Sequence, residues 1–296
     1  MPRAMHLSRL LGSITPEAFF SEHYLRRPLL VQGTAGALAE LATDARCERI
    51  AMAGCDLLLV RDGKLWRGER PADAETLRAR QEEGFTLVLR NPEPYDDALA
   101  ALSRTFALEL GGDINLHLYR TPGNARGFDW HCDPEEVFYL QASGEKRFEV
   151  RQNTIAPAPL LQTLTGPRPP DPSAETSEVE SFLLRPGDWL YIPGGAWHRA
   201  AAVSEEPSAS ISVGVMAPTA LDAIGFAMKK LAADPKWRAR LPPLGRASPL
   251  SDAEKAAACH EAFSALGEAL ARELSSPELP MTVMVQQAMA RMRGGR

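Results

Sequence analysis

The sequence lacks the features that mark membrane, secreted and nucleotide-binding proteins. It contains no apolar run of about 18 residues, so no segment is predicted to cross a membrane, and its N-terminus has no charged-then-apolar signal layout. Its four cysteines are scattered without a CxxC pair, which favours a reducing compartment over a disulfide framework or a zinc knuckle. P-loop and GxGxxG patterns are absent. These absences indicate a cytoplasmic protein.

The charge balance and the length bound the class of protein. The chain has 296 residues and a net charge of −5, which gives no overall attraction to nucleic acid. Apolar residues make up 45% and charged residues 24%, the proportions of an ordinary globular protein. A chain of this length buries a sizeable core, in one main domain with an extension or in two domains. We therefore expect no direct nucleic-acid partner and no membrane partner.

The chain divides into three predicted stretches. Residues 1–112 mix short helices and strands and are expected to flank the main domain. Residues 113–217 contain short β-rich runs separated by Gly, Pro and Asp, which is typical of an antiparallel sandwich or small barrel. Residues 218–296 become helical, with a proline-rich link over 241–249. The pattern predicts a mainly β protein with helical flanks and a C-terminal helical region.

Local signals predict several elements and one loop. Thr15 ahead of Pro16 is typical of a helix start, and we expect that helix to reach about residue 26. Asp62 and Gly63 predict a tight turn between two strands. The remaining predictions are a helix over 95–110 closed by glycine, a helix over 251–275 that begins with a capping box, and a surface loop rich in Pro, Ser, Thr and acidic residues over 166–178.

The triplet His131-Cys132-Asp133 is the most informative motif. Residues i and i+2 of a strand share a face, so His131 and Asp133 are predicted to reach one metal ion while Cys132 points away. A third ligand then comes from a neighbouring strand, and His198 is the candidate. Two imidazoles and one carboxylate form the facial triad that holds non-haem iron(II) and leaves positions open for oxygen and substrate. For the triplet alone, the alternative is a surface turn ahead of Pro134.

The segments around these ligands carry a family resemblance. They are His117–Pro122, Gly127–Phe128, Val137–Gln141, Gly144–Phe148, Leu184–Pro193 with Trp197–His198, Ser208–Gly214 and, upstream, Arg27–Val31. As a set they resemble the JmjC-type cupin family of iron(II)- and 2-oxoglutarate-dependent hydroxylases. The resemblance is greatest to the ribosomal-oxygenase group, which hydroxylates side chains of ribosomal proteins, and it covers roughly residues 15–220.

The resemblance implies a fold, an activity and a set of cofactors. The fold is a double-stranded β-helix, the jelly-roll or cupin barrel. His131, Asp133 and His198 match the family's metal ligands and would hold Fe²⁺, with 2-oxoglutarate and O₂ as cosubstrates. The implied enzyme is an oxidoreductase, a dioxygenase that hydroxylates a side chain of a protein or peptide. A ribosomal protein is the implied partner, with arginine or histidine as the leading target residues.

Five further residues become candidates for the cosubstrate pocket. Lys146 occupies the place where these enzymes carry a basic residue that pairs with the distal carboxylate of 2-oxoglutarate. Tyr119 matches a barrel-lining tyrosine near the cosubstrate. Ser210 and Ser212 alternate along the last core strand, so both are candidates to face inward. His117 replaces an asparagine that is common in related enzymes. It shares a predicted strand face with Tyr119, where it would tune the site, contact substrate or supply an extra ligand.

Two other classes of function stay open. One is a metal-dependent cupin dioxygenase or isomerase that acts on a small molecule without 2-oxoglutarate, and the presence of Lys146 argues against it. The other is a non-catalytic binding module with a degenerate metal site, and the complete ligand set argues against that. The C-terminal helices have apolar faces, which predict a homodimer or partner surface, with packing on the barrel as the alternative.

Overall fold

The chain separates into two compact units, Met1–Ala217 and Pro218–Arg296. The computed structural model describes residues 6–155 and 171–285. The strands of the described residues all lie in the first unit. In chain order they are β1 Leu29–Val31, β2 Asp56–Arg61, β3 Lys64–Leu65, β4 Thr86–Arg90, β5 Asp113–Thr121, β6 Glu136–Ser143, β7 Lys146–Arg151, β8 Val179–Leu184, β9 Trp189–Ile192, β10 Trp197–Ala202 and β11 Ser208–Met216.

These strands form two antiparallel sheets that face each other. The larger sheet has the order β1-β9-β6-β11-β5-β4-β2-β3, and the smaller one has the order β10-β7-β8. Strands β1 to β4, from the predicted region 1–112, extend the sheet that also holds β5, β6, β9 and β11. This arrangement confirms the predicted mainly β fold with helical flanks, built as a jelly-roll barrel.

Helices flank the sheets in the first unit and make up most of the second. The α-helices whose two ends are described are α1 Leu7–Leu11, α2 Pro16–Ala18, α3 Asp44–Met52, α4 Ala74–Glu82, α5 Asp97–Leu110, α6 Ala220–Ala233 and α7 Asp252–Leu274. Residues 279–285 are helical as well. Short 3-10 helices occur at Gly36–Ala42, Glu93–Tyr95, Pro172–Ala174 and Pro235–Arg238.

Strand alternation sends apolar residues to the outer face of the larger sheet and polar residues into the barrel. On β11, Ile211 and Val213 join the large core under the flanking helices, whereas Ser210 and Ser212 take the other face. On β6, Phe138 packs in that same outer core. The barrel interior has its own smaller core, which brings together Val137, Tyr139, Phe148, Val150, Leu184, Leu190 and Ile192 from both sheets. The interior therefore combines an apolar wall with a row of hydroxyl groups.

Several local signals are confirmed by the geometry. The Thr15 side chain accepts a hydrogen bond from the Ala18 amide at the start of α2. Asp62 and Gly63 both adopt positive φ angles, 51° and 77°, between the paired strands β2 and β3, as a two-residue hairpin turn requires. A capping box at Ser251 begins α7.

The helix predicted over 15–26 is wrong at its C-terminal end. After α2 the chain forms a π-helical turn, Phe19–His23, and then leaves helical geometry. Leu25 has a φ of 62°, and its amide donates a hydrogen bond to the Tyr191 hydroxyl. Tyr191 in turn donates to the buried carboxylate of Glu136. A long-range contact with β9 therefore ends this helix, and no local pattern encodes that contact.

The surface loop predicted over 166–178 is confirmed for most of its described part, which is exposed and forms only the short turn Pro172–Ala174, but Glu175 departs from it. Residues 166–170 lie outside the described residues. Beyond them Glu175 is only 4% exposed, and it accepts hydrogen bonds from the Thr154 amide and the Ser177 amide. The Trp197 indole N–H donates to the same carboxylate. Glu175 thereby ties its segment to β10, because the donors converge on it from two other parts of the chain.

The second unit consists mainly of α6 and α7, which pack against each other. Lys230 on α6 forms an ion pair with Glu273 on α7, with 2.6 Å between Nζ and Oε2. Ala227 and Ala269 are buried. Among the described residues of the whole chain, no helix combines the length and the apolar character that crossing a membrane needs.

We predict that Phe138→Ala destabilises the first unit strongly. The Phe138 side chain is fully buried and contacts four other aromatic rings, at centroid distances of 5.2 to 6.1 Å, so its removal leaves a cavity. The expected loss in the free energy of unfolding is about 3–5 kcal/mol. Urea unfolding followed by tryptophan fluorescence measures it. Leu108→Ala is the control, because Leu108 is 76% exposed on α5; equal stability of the two variants would contradict the prediction.

Candidate metal centre

His131 and Asp133 lie in the segment 122–135 that connects β5 to β6, hereafter the ligand segment, and His198 lies on β10. The His131 amide donates to the His198 carbonyl over 3.1 Å, and the His198 amide donates to the His131 carbonyl over 2.8 Å. This reciprocal bridge places the two imidazole centroids 4.2 Å apart. The Asp133 carbonyl accepts a hydrogen bond from the Gly195 amide over 2.7 Å, which anchors the end of the triplet.

The three candidate ligands present their donor atoms to one point. Asp133 Oδ2 lies 3.5 Å from His198 Nε2 and 3.9 Å from His131 Nε2. One ligand atom from each residue lies within 4.8 Å of the other two. His198 is 2% exposed, whereas the side chains of His131 and Asp133 are about one third exposed. The group therefore has a buried side in the barrel and an open side toward solvent.

The strand predicted for the triplet is wrong. Only His131 pairs with a neighbour, through the isolated bridge to His198, and the following residues have no ladder partner. Pro134 follows Asp133 directly and has no amide N–H to donate, which ends regular pairing. The same proline keeps Asp133 extended, so His131 and Asp133 still converge as i and i+2 neighbours. Cys132 contacts Asn153 instead of joining the group.

Backbone carbonyls orient both imidazoles. His131 Nδ1 lies 2.7 Å from the Asp129 carbonyl oxygen, and His198 Nδ1 lies 3.1 Å from the Ala196 carbonyl oxygen. A carbonyl accepts only, so each Nδ1 carries the proton and each Nε2 keeps a free lone pair. Burial lowers the pKa of His198, and the neighbouring His131 lowers it further. The neutral imidazole is the form that binds a metal.

A cavity of about 400 Å³, its open mouth included, extends from the two histidines into the barrel. Lys146 on β7 lines it and is 4% exposed. Its Nζ donates to Ser210 Oγ over 2.8 Å and lies 5.5 Å from the centre of the Tyr119 ring. Burial lowers the pKa of Lys146 to about 7. No carboxylate of the described residues forms an ion pair with it, so the cavity holds a cationic group without a counter-ion.

The structure places the other predicted residues at different distances from this cavity. Tyr119 lines it, and Ser210 reaches it through Lys146. Ser212 lies beside Tyr139 in the sheet and hydrogen-bonds with its hydroxyl. His117 is the partner of Ser212 in the β5–β11 ladder, but it does not line the cavity. Burial lowers the pKa of His117.

Three further polar residues line the cavity and are absent from the sequence-based set: Thr86, Thr121 and Tyr139. The Tyr139 hydroxyl lies 3.2 Å from His198 Nε2. Thr86 is 1% exposed, and its hydroxyl has no hydrogen-bond partner. Thr121 is two residues from Tyr119, so strand alternation puts the two on the same face. Thr86 stands out in the sequence as the single polar residue at the start of an apolar strand. Neither signal indicates which cavity the side chain reaches.

The donor set fits a divalent transition metal. Two neutral imidazoles and one carboxylate on a single side, with the other side open, are typical of non-haem iron(II) oxygenases. The unpaired Lys146 suits the far carboxylate of a ligand that bridges the cavity to the metal. The arrangement can therefore hold a metal and an anionic chelator at the same time.

Sequence comparisons find similarity to a known family in the barrel region. The JmjC domain family matches residues 102–223. Ribosomal oxygenase 2 of Rattus norvegicus is 29% identical over 204 residues, which are 64% of this chain and 43% of that protein. The bifunctional lysine-specific demethylase and histidyl-hydroxylase NO66 of Drosophila willistoni is 26% identical over 219 residues, 71% of this chain and 28% of that protein. The chain thus spans less than half the length of these curated relatives.

Solved structures agree on the fold. The Escherichia coli protein ycfD superposes with a TM-score of 0.58 at 21% identity, covering 90% of this chain and 69% of the other. A complex of the E. coli ribosomal oxygenase YcfD with cobalt and 2-oxoglutarate superposes with a TM-score of 0.55 at 20% identity, covering 90% of this chain and 68% of the other. At these identities the likeness establishes the fold. Residues 102–223 are therefore similar to the JmjC domain family, and the solved structures share the fold of this chain.

Proposed function

We propose that this chain is an iron(II)- and 2-oxoglutarate-dependent oxygenase that hydroxylates a side chain of a protein or peptide. The observation that carries the proposal is the pairing of two features in one barrel. A His-Asp-His donor set lies at the mouth of the cavity, and the buried amine of Lys146, which has no carboxylate partner in residues 6–155 and 171–285, lies in its wall. Binding of a metal alone requires only the His-Asp-His donor set. Binding of a dicarboxylate that chelates the metal requires the donor set and Lys146 together.

In this proposal His131, Asp133 and His198 hold the iron through Nε2, Oδ2 and Nε2. When bound, Fe(II) couples the oxidative decarboxylation of 2-oxoglutarate to insertion of oxygen into a substrate C–H bond. The carbonyls behind both imidazoles keep the nitrogen lone pairs directed at the metal. Tyr139 contacts the same nitrogen of His198, but its hydroxyl also bonds with Ser212 and so keeps a partner when that nitrogen holds the metal.

Lys146 binds the distal carboxylate of 2-oxoglutarate in this proposal. Holding an ammonium group inside the barrel is unfavourable, as its lowered pKa indicates, and an arriving carboxylate relieves that cost. Ser210 orients the ammonium group, and the Tyr119 ring supports it through its face. The free hydroxyl of Thr86 supplies a further donor in the same cavity. Phe148 and Phe128 provide apolar walls that exclude water.

The roles proposed for His117 and Ser212 are indirect. Both belong to the strand layer that carries Tyr139, with Ser212 between the other two. His117 lies close enough to Asp133 for that charge to act on its pKa. We assign His117 to the strand layer behind the cavity, close to Asp133, where it tunes the surroundings of the metal.

The proposed substrate is a ribosomal protein, with arginine or histidine as the target residue. The names of the relatives support a protein substrate, since they include a ribosomal oxygenase and a histidyl-hydroxylase. The free thiols of all four cysteines agree with a cytoplasmic location. Exposed apolar residues on the second unit, such as Leu221 and Phe263, support the homodimer as a further proposal.

The proposal is tested by incubating the purified chain with Fe(II), ascorbate and 2-oxoglutarate. We expect succinate and carbon dioxide to form, and we expect His198→Ala to lose both metal binding and turnover. Metal binding without turnover of 2-oxoglutarate would favour the cupin that acts without this cosubstrate. A wild-type chain that binds neither iron nor manganese would favour the non-catalytic module. Mass spectrometry of cellular proteins then identifies the substrate as a peptide that loses one oxygen atom when the gene is deleted.

Lys146→Met is predicted to stabilise the protein without ligand while removing cosubstrate binding. The substitution keeps a long apolar side chain and removes a charge whose burial is unfavourable. The free energy of unfolding at pH 7 should rise by on the order of 1–3 kcal/mol. Affinity for 2-oxoglutarate should fall about 100-fold, because the carboxylate loses its charged partner. Urea unfolding and a binding titration measure the two effects. A less stable variant would indicate that Lys146 is a structural residue.

Affinity for 2-oxoglutarate is predicted to fall as pH rises above about 7. The free protein holds Lys146 with a pKa of about 7, so higher pH leaves the neutral amine that binds a carboxylate poorly. The phenols of Tyr119 and Tyr139 stay uncharged, because burial raises the pKa of both. The limiting slope is about tenfold in dissociation constant per pH unit. Binding titrations from pH 6 to about 9 test this, and Lys146→Arg, which stays charged, should flatten the slope. An equal slope in both proteins would refute the assignment.

A further inference from the structure

The indole of Trp130 contacts two guanidinium groups. The Arg151 guanidinium carbon is 4.4 Å from the ring centre, and that of Arg199 is 4.8 Å from it. Trp130 directly precedes His131 in the chain, and Arg199 directly follows His198. The two residues that flank the metal-ligating histidines are therefore in contact with each other as well.

Both arginines are held in place by other groups. Arg199 Nε donates to the Glu149 carboxylate on β7, and its Nη1 lies 3.8 Å from Asp129 Oδ1. Arg151 donates to two carbonyl oxygens, of Glu175 over 3.0 Å and of Pro172 over 2.6 Å. Since neither cation is free to move with the ring, the two anchored guanidinium groups hold the ring in place, an arrangement hereafter called the clamp.

The ligand segment has few other attachments to β10. It pairs with that strand through two isolated bridges, Arg126↔Ala201 and His131↔His198. Between these bridges, Asp129 makes two hydrogen bonds within the segment. Its carbonyl accepts one from His131 Nδ1, and its carboxylate accepts the other from the Trp130 amide. A shift of Trp130 would therefore move the group that orients the His131 ring.

We propose that Trp130 is a positioning residue, held by its contacts with Arg151 and Arg199, which sets the affinity of the centre for its metal. The clamp lies beside the two bridged histidines and contributes no ligand atom. It keeps His131 at the correct distance from His198 and keeps Nε2 of His131 directed at the metal. This inference rests on the metal site of the proposed function and adds a determinant of affinity outside the ligand set.

The test is the affinity of the full chain for Co²⁺, followed by equilibrium titration and by the visible absorption of the bound ion. Trp130→Ala should raise the dissociation constant about 10- to 100-fold, the usual cost of removing a group that orients a ligand. Its absorption spectrum should change, because the His131 nitrogen is displaced. Trp130→Phe retains a ring against the two cations and should restore most of the affinity.

Trp66→Ala is the matched control. Trp66 also stacks against a guanidinium group, with the Arg80 carbon 4.9 Å from its ring centre, but it contacts no residue next to a ligand. The Trp66→Ala variant should bind Co²⁺ with the affinity of the wild type. Arg199→Gln removes one cation and leaves the indole in place, and it should raise the dissociation constant for Co²⁺ severalfold. This variant replaces Trp130→Ala in the test if Trp130→Ala does not fold.

The possible outcomes separate this inference from the proposed function. If Trp130→Ala binds Co²⁺ with wild-type affinity and an unchanged spectrum, the clamp is overturned and the oxygenase proposal stays intact. If Trp130→Ala does not fold, the same result in Arg199→Gln overturns the clamp. A wild-type chain that binds no Co²⁺ would overturn both. Weaker binding in Trp130→Ala with rescue by Trp130→Phe and no effect of Trp66→Ala supports the clamp.

Discussion

The reciprocal pair of backbone hydrogen bonds between His131 and His198 is the contact on which the site depends. It joins a segment with little regular structure to a strand inside the barrel, and it brings the two imidazoles together before any metal binds. Other main-chain groups complete the geometry, with carbonyls behind both rings and the Gly195 amide on Asp133. The backbone therefore positions the ligands, and the ligand atoms stay free for the metal.

The interior of the barrel contains buried polar groups that lower the stability of the fold and that a purely structural core would not contain. Within the part of the chain that the structure describes, Lys146 is buried without a carboxylate, and the Thr86 hydroxyl is buried without a partner. Each is unfavourable in the free protein, because burial removes water and supplies no replacement. Groups of this kind are expected where a ligand completes the set of contacts. The outer face of the same sheet shows the contrast, since Phe138 and Ile211 pack there in an entirely apolar core.

Much of the fold and of the candidate site follows from local pattern. Alternation in β11 assigns Ser210 to the barrel interior, and the Asp62 turn predicts its hairpin. Errors arise where a distant group decides the local structure. Leu25 leaves the helix because of Tyr191, and Glu175 is buried because amides and an indole from elsewhere converge on it. A window of sequence contains one partner of each contact and not the other.

By itself the sequence determined the chemistry of the centre: which residues carry imidazole, carboxylate and ammonium groups, and which neighbours share a strand face. Only the tertiary structure decided that Lys146 has no counter-ion among the described residues, that Thr86 reaches the cavity, and that Trp130 contacts Arg151 and Arg199. These facts depend on the order of the strands and on the facing of the two sheets. Strand order is set by contacts between residues far apart in the chain, and periodicity within a strand carries no information about them.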